Sequence, residues 1–367
     1  MFYHLISFWI FLFFSQNNFI EKEFQQKQLS SHLENYQQLK KKGGWEYIKT
    51  GKILQLGMVD QRVKKIKLRL TITDELRRES NKITDTFDVS LEKAIKTFQK
   101  NHSMPETGII DAKTLRAMNV SVEKRIHQIE INMKRWEQFK TESEKPFLFV
   151  NIASGMLNMI SNQTSVMEMR VIVGKPDRKT PELTAELNEI EFNPYWIVPP
   201  GILRKDILPK IKMNPSYIID HDMEVFLRQQ PINPFAISWD KIDEYACPYK
   251  IIQNPGPENP LGVVKFIFPN KHLVYMHDTP SKRLFNFFPR TFSSGCVRLS
   301  KAVDLSKYIL KIDKNWTNNK IDSLIWSEKT TRIRLQNPIK IYFSYFTAWV
   351  NKEGILQFAP DIYQKDN

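Results

Sequence analysis

Cysteine is scarce in this chain, and so are the motifs that hold metals and phosphates. Only two cysteines, Cys247 and Cys296, occur among the 367 residues, and no zinc-finger spacing surrounds either one. The sequence also lacks a cluster of metal ligands and a glycine loop that could cradle a phosphate. These absences predict a protein that works without a metal and without a cofactor.

An apolar stretch long enough to cross a membrane is missing at the N-terminus. The run from Phe2 to Phe14 falls short of the about 20 residues that a spanning helix needs. Its length suits an export signal, although no Lys or Arg precedes it and no small-x-small cleavage site follows it. We expect residues 1–15 to be a signal peptide or a short membrane anchor, with a buried N-terminal helix or strand as the alternative.

Acidic residues are outnumbered in the sequence. The chain has 54 Lys and Arg against 40 Asp and Glu, which gives a net charge of +14. Such a surface suits nucleic acid, a membrane face or an acidic wall polymer. No RNP-like aromatic motif accompanies the charge, so nucleic acid is not an expected partner. The length predicts two or three domains, and 41% hydrophobic residues are enough for a real core.

Export changes what two cysteines mean. In an oxidising compartment a pair of cysteines often forms a disulfide, and the spacing of Cys247 and Cys296 permits one. A free, reactive thiol is the alternative, and the residues around each cysteine must decide between the two.

The N-terminal third is predicted to be polar first and helical afterwards. Residues 16–49 are rich in Gln, Glu, Lys and Asn and predict a polar tether or loose helix. Residues 50–120 predict a small helical unit, in which Leu91, Ile95 and Phe98 form one apolar stripe and Asp111 is a plausible N-cap. Residues 121–146 predict a connecting helix whose apolar face carries Val122, Ile126, Ile129, Met133 and Trp136.

Within the helical unit, the segment AIKTFQKNHSMPETGIIDAKTL resembles the small three-helix peptidoglycan-binding domain. The shared features are an Ala-Ile-x-x-Phe-Gln helix, a glycine turn and Asp-x-x-Thr-Leu. The resemblance covers residues 50–120 and implies contact with the wall polymer. The alternative is any small helical adaptor.

After Pro146 the pattern changes to short apolar runs with period-two alternation, bounded by Gly, Pro and Asn. This predicts a β-rich domain over residues 147–345, with a C-terminal strand and tail over residues 346–367. Residues 200–262 inside it differ, because GILRKDILPKIKMNPSYIIDHDMEVF predicts helix and NPGPENPLG predicts loop. A helical insertion is a candidate lid over a cleft, with surface packing as the alternative. The expected fold class is therefore multidomain α+β.

The string SSGCVR contains the parts that a cysteine nucleophile needs. Gly295 can take a positive φ, so that the N–H groups of Gly295 and Cys296 could point into one pocket. His277 ends the apolar run HLVYMH, a predicted strand, where a base could activate the thiol. Arg298 alternates with Cys296 and could favour the thiolate or hold a substrate carboxylate. A histidine and a cysteine alone are a weak signal, since protein cores contain both.

The longer string HDTPSKRLFNFFPRTFSSGCVRLS resembles the signature of L,D-transpeptidases with a YkuD-like catalytic domain, a histidine followed by Ser-x-Gly-Cys-x-Arg. RVIVGKPDRKTPELTAELNEIEFNPYWIVPPGILRKDILPKI and YFSYFTAWVNKEGILQFAPDIY fit the large Gram-negative members that carry a capping insertion and a C-terminal strand pair. The resemblance runs from about Phe147 to Tyr363. Many members have histidine at the position of Ser294, so one polar contact near the thiol is missing here.

The resemblance implies a role for each matching residue. Cys296 would be the nucleophile, His277 the general base and acid, and the N–H groups of Gly295 and Cys296 the oxyanion hole. Asp278 would be a turn residue and Cys247 an incidental thiol. A disulfide between the cysteines would abolish this chemistry. Substrate contacts would come from Arg298, Ser294, Tyr275 and Trp196, with ordinary core packing as an equal alternative for the two aromatic residues.

The resemblance also implies a reaction and a place. A periplasmic enzyme would attack the third residue of a donor tetrapeptide stem, release the terminal D-alanine from a thioester, and form a 3→3 crosslink. Its partners would be the stem peptides and glycan of peptidoglycan, with membrane anchoring by the N-terminus left open, and carbapenems would acylate the same thiol. The alternatives are an L,D-carboxypeptidase, a transpeptidase that attaches wall proteins, and a non-catalytic peptidoglycan-binding scaffold.

Overall fold

The computed structural model describes residues 20–76, 83–141 and 144–367, which form a helical module, a closed β-sheet and a capping subdomain. The predicted signal peptide or anchor, residues 1–15, lies outside the described residues. Within the described ranges, none of the helices has the length and apolar character needed to cross a membrane. The predicted multidomain α+β class is confirmed.

The α-helices of the described ranges are α1 (Lys22–Lys41), α2 (Arg62–Ile72), α3 (Val89–Asn101), α4 (Ala112–Met118), α5 (Val122–Gln138), α6 (Pro200–Ile202), α7 (Leu208–Met213), α8 (Tyr217–Asp220), α9 (Ala302–Lys314) and α10 (Asn318–Trp326). A π-helical turn, Leu203–Ile207, joins α6 to α7. Short 3-10 turns occur at Pro234–Ala236, Trp239–Lys241 and Lys282–Asn286.

The β-strands of the same ranges are β1 (Phe147–Asn151), β2 (Met156–Ser161), β3 (Thr164–Gly174), β4 (Leu183–Phe192), β5 (Trp196–Ile197), β6 (Met223–Leu227), β7 (Gln230–Ile232), β8 (Lys250–Gln253), β9 (Val264–Ile267), β10 (Met276–His277), β11 (Thr291–Ser293), β12 (Val297–Leu299), β13 (Thr331–Ser344), β14 (Ala348–Val350) and β15 (Leu356–Phe358).

The helical module consists of α2, α3 and α4 around one small core. The predicted stripe of Leu91, Ile95 and Phe98 is fully buried there. Asp111 is the N-cap of α4, as expected, because its carboxylate accepts a hydrogen bond from the Thr114 N–H at 2.7 Å. Amphipathic spacing and capping therefore account for this part of the fold.

For residues 16–49 we expect a polar tether or a loose helix, and their described part contains the helix α1. Although its composition is polar, a few of its side chains are buried. Leu29 is fully buried against α5 and the C-terminal strands. The buried Gln25 side chain bonds both backbone groups of Val350, at 2.6 and 2.8 Å. The connecting helix α5 is also shorter than predicted, since it ends at Gln138. Most helical stability comes from tertiary packing, which composition does not reveal.

Eight strands close into a ring, because β3 pairs with β2 at one end of its length and with β12 at the other. The order around the ring is β3, β12, β10, β9, β4, β13, β1 and β2, and β11 adds to β3. The pairs β1–β13, β10–β12 and β11–β3 are parallel. Closure buries an apolar core and brings the short strands β10 and β12 side by side.

The capping subdomain is the insertion between β4 and β9, and it differs from the helical prediction. Residues 200–213 and 217–220 are helical, but MEVF belongs to β6, part of the four-stranded sheet β5–β8–β6–β7. Asp222, at a φ of 50°, separates the last helix from this strand. Val225 is buried while its neighbour Glu224 is exposed, so the period-two alternation of a strand prevails over helical spacing here.

Candidate active site

Two short parallel strands bring the predicted site residues together. On β10 and β12, His277 pairs with Arg298. The residue before β12 is Cys296, so it lies beside Tyr275, whose carbonyl accepts from the Val297 N–H at 3.1 Å. Paired residues of neighbouring strands share a face, and side chains alternate along each strand. Tyr275, His277, Cys296 and Arg298 therefore face one side of the sheet.

Cys296 is a free, half-buried thiol. Burial raises the pKa of this thiol, while hydrogen bonding by Tyr275 and the positive charges of Lys265 and Arg298 act in the opposite direction. Burial has the larger effect, so the resting thiol is mainly protonated at neutral pH. A base must take its proton when it attacks.

His277 is buried and neutral at that pH. Burial first, and the charge of Arg298 second, lower the pKa of the imidazole to about 3. The ring Nδ1 lies 2.5 Å from the Asp278 carbonyl. A carbonyl can only accept, so Nδ1 carries the proton and Nε2 is the basic nitrogen. No hydrogen bond joins this ring to the Cys296 thiol here, and such contacts commonly tighten only when substrate binds.

The predicted oxyanion hole needs a correction. Gly295 has a φ of 119°, as expected for a tight glycine turn. However, its N–H donates to Ser293 Oγ at 3.1 Å, and Ser293 Oγ donates to the Cys296 carbonyl at 2.5 Å. The Gly295 N–H is therefore engaged inside the loop. Among the described residues, the Cys296 N–H has no acceptor, so it is the donor left for an oxyanion.

Arg298 is a half-buried cation that forms no ion pair with a carboxylate of the described residues. Burial lowers the pKa of its guanidinium, and its Nε is buried without a hydrogen-bond partner in the described ranges. An unpaired cation at this depth is costly unless an anion binds it in the functional complex. Arg298 thus keeps the capacity for a substrate carboxylate that its sequence position suggested.

A row of charged side chains, which sequence reasoning missed, extends the site across three more strands. Lys265 on β9 pairs with His277, Glu191 on β4 pairs with Lys265, and Arg332 on β13 pairs with Glu191. Glu191 is 2% exposed and accepts from Arg332 Nε at 2.6 Å. Lys265 Nζ lies 4.5 Å from the centre of the Tyr275 ring. The signal that could have found Lys265 is a single cation in the apolar strand VVKFIF.

The capping subdomain touches the nucleophile loop through Arg178, a second residue that sequence reasoning missed. Arg178 Nη2 donates to the Asp206 carboxylate at 3.1 Å, and Nη1 donates to the same carboxylate and to Ser294 Oγ, the latter at 2.9 Å. The hydroxyl of the exposed Ser294 is therefore occupied by a neighbouring arginine. Asp206 lies in the π-helical turn, so this ion pair joins cap and loop.

Trp196 is 8% exposed and belongs to the core of the capping subdomain, where β5 pairs with β8. Core packing, the stated alternative to a wall of the cleft, fits this position of Trp196. Tyr275, by contrast, contributes both to this core and to the core of the closed sheet, beside Cys296.

The C-terminus supports the nucleophile loop from behind. Thr180 Oγ donates to the Gly295 carbonyl at 2.8 Å, and the Thr180 N–H donates to Tyr363 Oη at 3.0 Å. Tyr363 Oη in turn donates to the Gly174 carbonyl at 2.8 Å. These bonds connect residues far apart in sequence, so no local motif could predict them.

Asp278, predicted to be a turn residue, directly follows β10. Its carboxylate accepts from the Val263 N–H at 3.2 Å and pairs with Lys282. The close approach requires glycine at Gly262, where an added Cβ would lie 2.4 Å from Asp278 Oδ2. Cys247 is also free, so no disulfide occupies Cys296.

Comparisons with known proteins identify the families that two parts of the chain match. Residues 145–328, half of the chain, match the family described as "L,D-transpeptidase catalytic domain", YkuD. Residues 59–118 match the family described as "Putative peptidoglycan binding domain". A Haemophilus influenzae protein named "Putative L,D-transpeptidase" is 38% identical over 222 residues, 60% of this chain and 44% of that protein. The match thus spans less than half the length of that curated relative.

Two solved structures show a weaker likeness. A Xylanimonas cellulosilytica L,D-transpeptidase is 12% identical, with 81% of this chain and 99% of that chain covered and a TM-score of 0.25. A Stackebrandtia nassauensis L,D-transpeptidase is 11% identical, with 79% and 94% covered and a TM-score of 0.31. Scores this low carry no argument about fold or activity.

Proposed function

This chain belongs to the L,D-transpeptidase catalytic domain family, and on that premise we propose that it forms 3→3 crosslinks in peptidoglycan through a thioester on Cys296. The observation that carries the proposal is the placement of Cys296, His277 and two cations on one face of the closed sheet, under the capping subdomain. A thiol, a neutral base and positive charge are the parts that acyl transfer needs.

The first half-reaction would acylate the thiol. His277 Nε2 takes the Cys296 proton as Sγ attacks the carbonyl carbon of the third stem residue. The C–N bond to the terminal D-alanine breaks, and the imidazolium returns its proton to the leaving amine. The Cys296 N–H stabilises the oxyanion of the tetrahedral intermediate, and a single such donor contributes about 3 kcal/mol. The products are free D-alanine and a thioester.

The second half-reaction would transfer the acyl group. An amine on a neighbouring stem attacks the thioester, His277 removes the amine proton, and the thiolate leaves and is reprotonated. The new amide is the 3→3 crosslink, and no external energy source is needed because the thioester conserves the energy of the broken amide. Two steps through one covalent intermediate predict ping-pong kinetics.

Arg298 would fix the donor stem. Its guanidinium faces the same side of the sheet as Cys296 and has no carboxylate partner in the described residues. A planar guanidinium binds a carboxylate through two parallel hydrogen bonds and so sets its orientation as well as its position. Stem peptides carry free carboxylates, which also suits a chain of net charge +14.

The capping subdomain would decide between crosslinking and hydrolysis. Water and the acceptor amine compete for the same thioester, so a cap that excludes water favours transfer. The Arg178–Asp206 ion pair holds the cap against the loop that carries Cys296. We assign residues 50–120 as the wall-binding module, residues 147–345 as the catalytic domain and residues 200–262 as its cap, acting outside the cytoplasm where peptidoglycan lies.

Mass spectrometry of a purified disaccharide-tetrapeptide tests the proposal. After incubation with the protein, we expect a dimer that has lost one D-alanine. Tripeptide monomer without dimer would make the protein an L,D-carboxypeptidase. Unchanged substrate would contradict both and favour a non-catalytic peptidoglycan-binding scaffold.

A further inference from the structure

A second cleft lies outside the Cys296 site, between the helical module and the closed sheet. It encloses about 610 Å³. Its walls come from the connection after α3 (residues 103–106), from β2 and β3, and from the hairpin of β14 and β15. None of the charged residues that surround Cys296 lines it. A cleft of this size is ample for a small-molecule or oligomer segment.

Charge at this cleft is balanced, in contrast to the whole chain. Its one deep arginine, Arg290, is 7% exposed and donates to the carbonyls of Ser154, Gly155 and Val171, so it is occupied within the protein. The remaining charged lining residues are three cations and three anions, namely Lys100, Arg170, Lys352, Glu106, Glu168 and Glu353. A chain of net charge +14 therefore offers an approximately neutral surface here, which does not favour a polyanion.

The cleft also presents N–H donors that lack acceptors. Asn158 is 7% exposed, and its Oδ1 accepts from Ser165 Oγ at 2.9 Å while its Nδ2 has no partner in the described residues. Asn351 likewise uses Oδ1 for the N–H groups of Glu353 and Ile355 and leaves Nδ2 unbonded there. The Nε1 of Trp136, another lining residue, is buried and has no hydrogen-bond partner in the part of the chain that the structure describes. Of these three donors, Trp136 Nε1 is the buried one. Buried donors are normally satisfied, so a ligand that supplies acceptors suits this wall of the cleft.

We propose that this cleft binds the N-acetylated glycan strand of peptidoglycan, an inference that rests on the proposed function. A glycan backbone is uncharged, and its acetamido carbonyls and hydroxyls supply the acceptors that these donors lack. The half-buried Trp349 supplies an aromatic surface with an apolar body for the faces of sugar rings. The cleft adjoins the module that matches the peptidoglycan-binding family, so glycan held there would leave its stem peptides free to reach Cys296.

Calorimetry with a tetramer of N-acetylglucosamine tests the site directly. The full chain with Cys296→Ala, which prevents turnover, is titrated at low and high salt. We expect saturable binding that is independent of salt, because the ligand is neutral. Asn158→Leu, a change of similar volume, should weaken binding at least fivefold. Asn319→Leu, at an exposed position on α10, is the matched control and should bind as before.

An indole N–H signal gives a second readout that does not depend on the folding of Asn158→Leu. The chain has eight tryptophans, and the tetramer should shift the indole resonance that disappears in Trp136→Phe. Absence of saturable binding, or equal affinity in Asn158→Leu, would overturn the proposal. So would binding by a sugar-free stem tetrapeptide that displaces the tetramer.

Failure here is separable from failure of the proposed function. Crosslinking of sugar-free stem peptides depends on the Cys296 site alone. Dimer formation without tetramer binding would reject the glycan cleft only. Tetramer binding without any dimer would reject transpeptidation and leave the cleft in place.

Discussion

The two cysteines have similar burial but lie in different local environments. Both are free and half-buried. Cys247 lies in the core of the cap, where its hydrogen-bonding contact is the Tyr249 carbonyl at 4.0 Å. Cys296 follows a glycine with positive φ, keeps its own N–H unbonded in the described ranges, and lies near Tyr275 and two cations. Exposure alone therefore does not distinguish a nucleophile, whereas the loop and charges around it do.

The largest expected effect is the loss of turnover in Cys296→Ala. Removing the nucleophile of a covalent mechanism should reduce the rate by a factor on the order of 10³ or more, because the remaining groups cannot form the thioester. The dimer yield from disaccharide-tetrapeptide measures it. Binding to isolated sacculi should persist, since the helical module is untouched.

Cys247→Ala is the matched control for that experiment. It removes the same atoms from the cap and should leave dimer formation within about twofold of the unmodified protein, as for most substitutions away from the chemistry. Full activity of Cys296→Ala, or equal losses in the two variants, would mean that the nucleophile is another group.

The next effect concerns the cations near Cys296. Burial raises the pKa of Cys296, so its alkylation by iodoacetamide should accelerate as pH rises and should not level off near an ordinary thiol pKa. Lys265→Met removes a positive charge that opposes the rise, and alkylation at pH 7.5 should slow by roughly tenfold. The readout is the pH at which the alkylation rate levels off: loss of the Lys265 charge should move it upward, whereas a merely structural role would lower the rate and leave that pH in place.

The Lys265→Arg variant keeps the positive charge, so its pH profile of Cys296 alkylation should stay close to that of the unmodified protein. Lys271→Met changes an exposed lysine outside the row and should have no effect. A Lys265→Met profile that levels off at the same pH as that of the unmodified protein would show that the Lys265 charge does not control the reactivity of the thiol.

Sequence pattern was sufficient for the groups whose placement is local. Gly295 and Cys296 are adjacent, so a tight turn that presents the thiol could be predicted from the string itself. His277 was found because it ends a strand-like run, although its alignment with Arg298 depends on pairing that the string does not encode. Lys265 could not be predicted as a site residue, because its contact with Tyr275 depends on which strands are neighbours in the closed sheet.

The fold likewise has parts that local sequence pattern predicts and parts that depend on contacts between residues distant in sequence. The stripe of α3 and the cap at Asp111 follow from local periodicity and could be predicted residue by residue. The burial of helix α1 could not be predicted in this way, because it depends on contacts of Gln25 and Leu29 with residues distant in sequence rather than on composition. The N–H of Gly295 was misassigned for a related reason: the competing acceptor, Ser293 Oγ, is chosen by the turn geometry.

A several-fold effect on product ratio is expected from the ion pair that joins the cap to the nucleophile loop. Asp206→Asn removes the charge that holds Arg178 and should loosen the cap, so that water competes better for the thioester. The ratio of tripeptide to dimer should rise several-fold, while Cys296 alkylation stays unchanged. Asp240→Asn, at an exposed position in the cap, is the control. An unchanged ratio would show that this ion pair does not govern water access.

The smallest effect on turnover should come from the hydrogen bonds that support the nucleophile loop from behind. Tyr363 is 2% exposed, and its hydroxyl accepts from Thr180 and donates to Gly174. Tyr363→Phe removes both hydrogen bonds and should lower the free energy of unfolding by about 2 kcal/mol, because each buried bond contributes about 1 kcal/mol. Urea denaturation measures the loss, and Tyr245→Phe, at a position 75% exposed, should show none. Since Thr180 Oγ still holds the Gly295 carbonyl, turnover should fall less than in Asp206→Asn, and a larger fall would mean that the C-terminus positions the thiol itself.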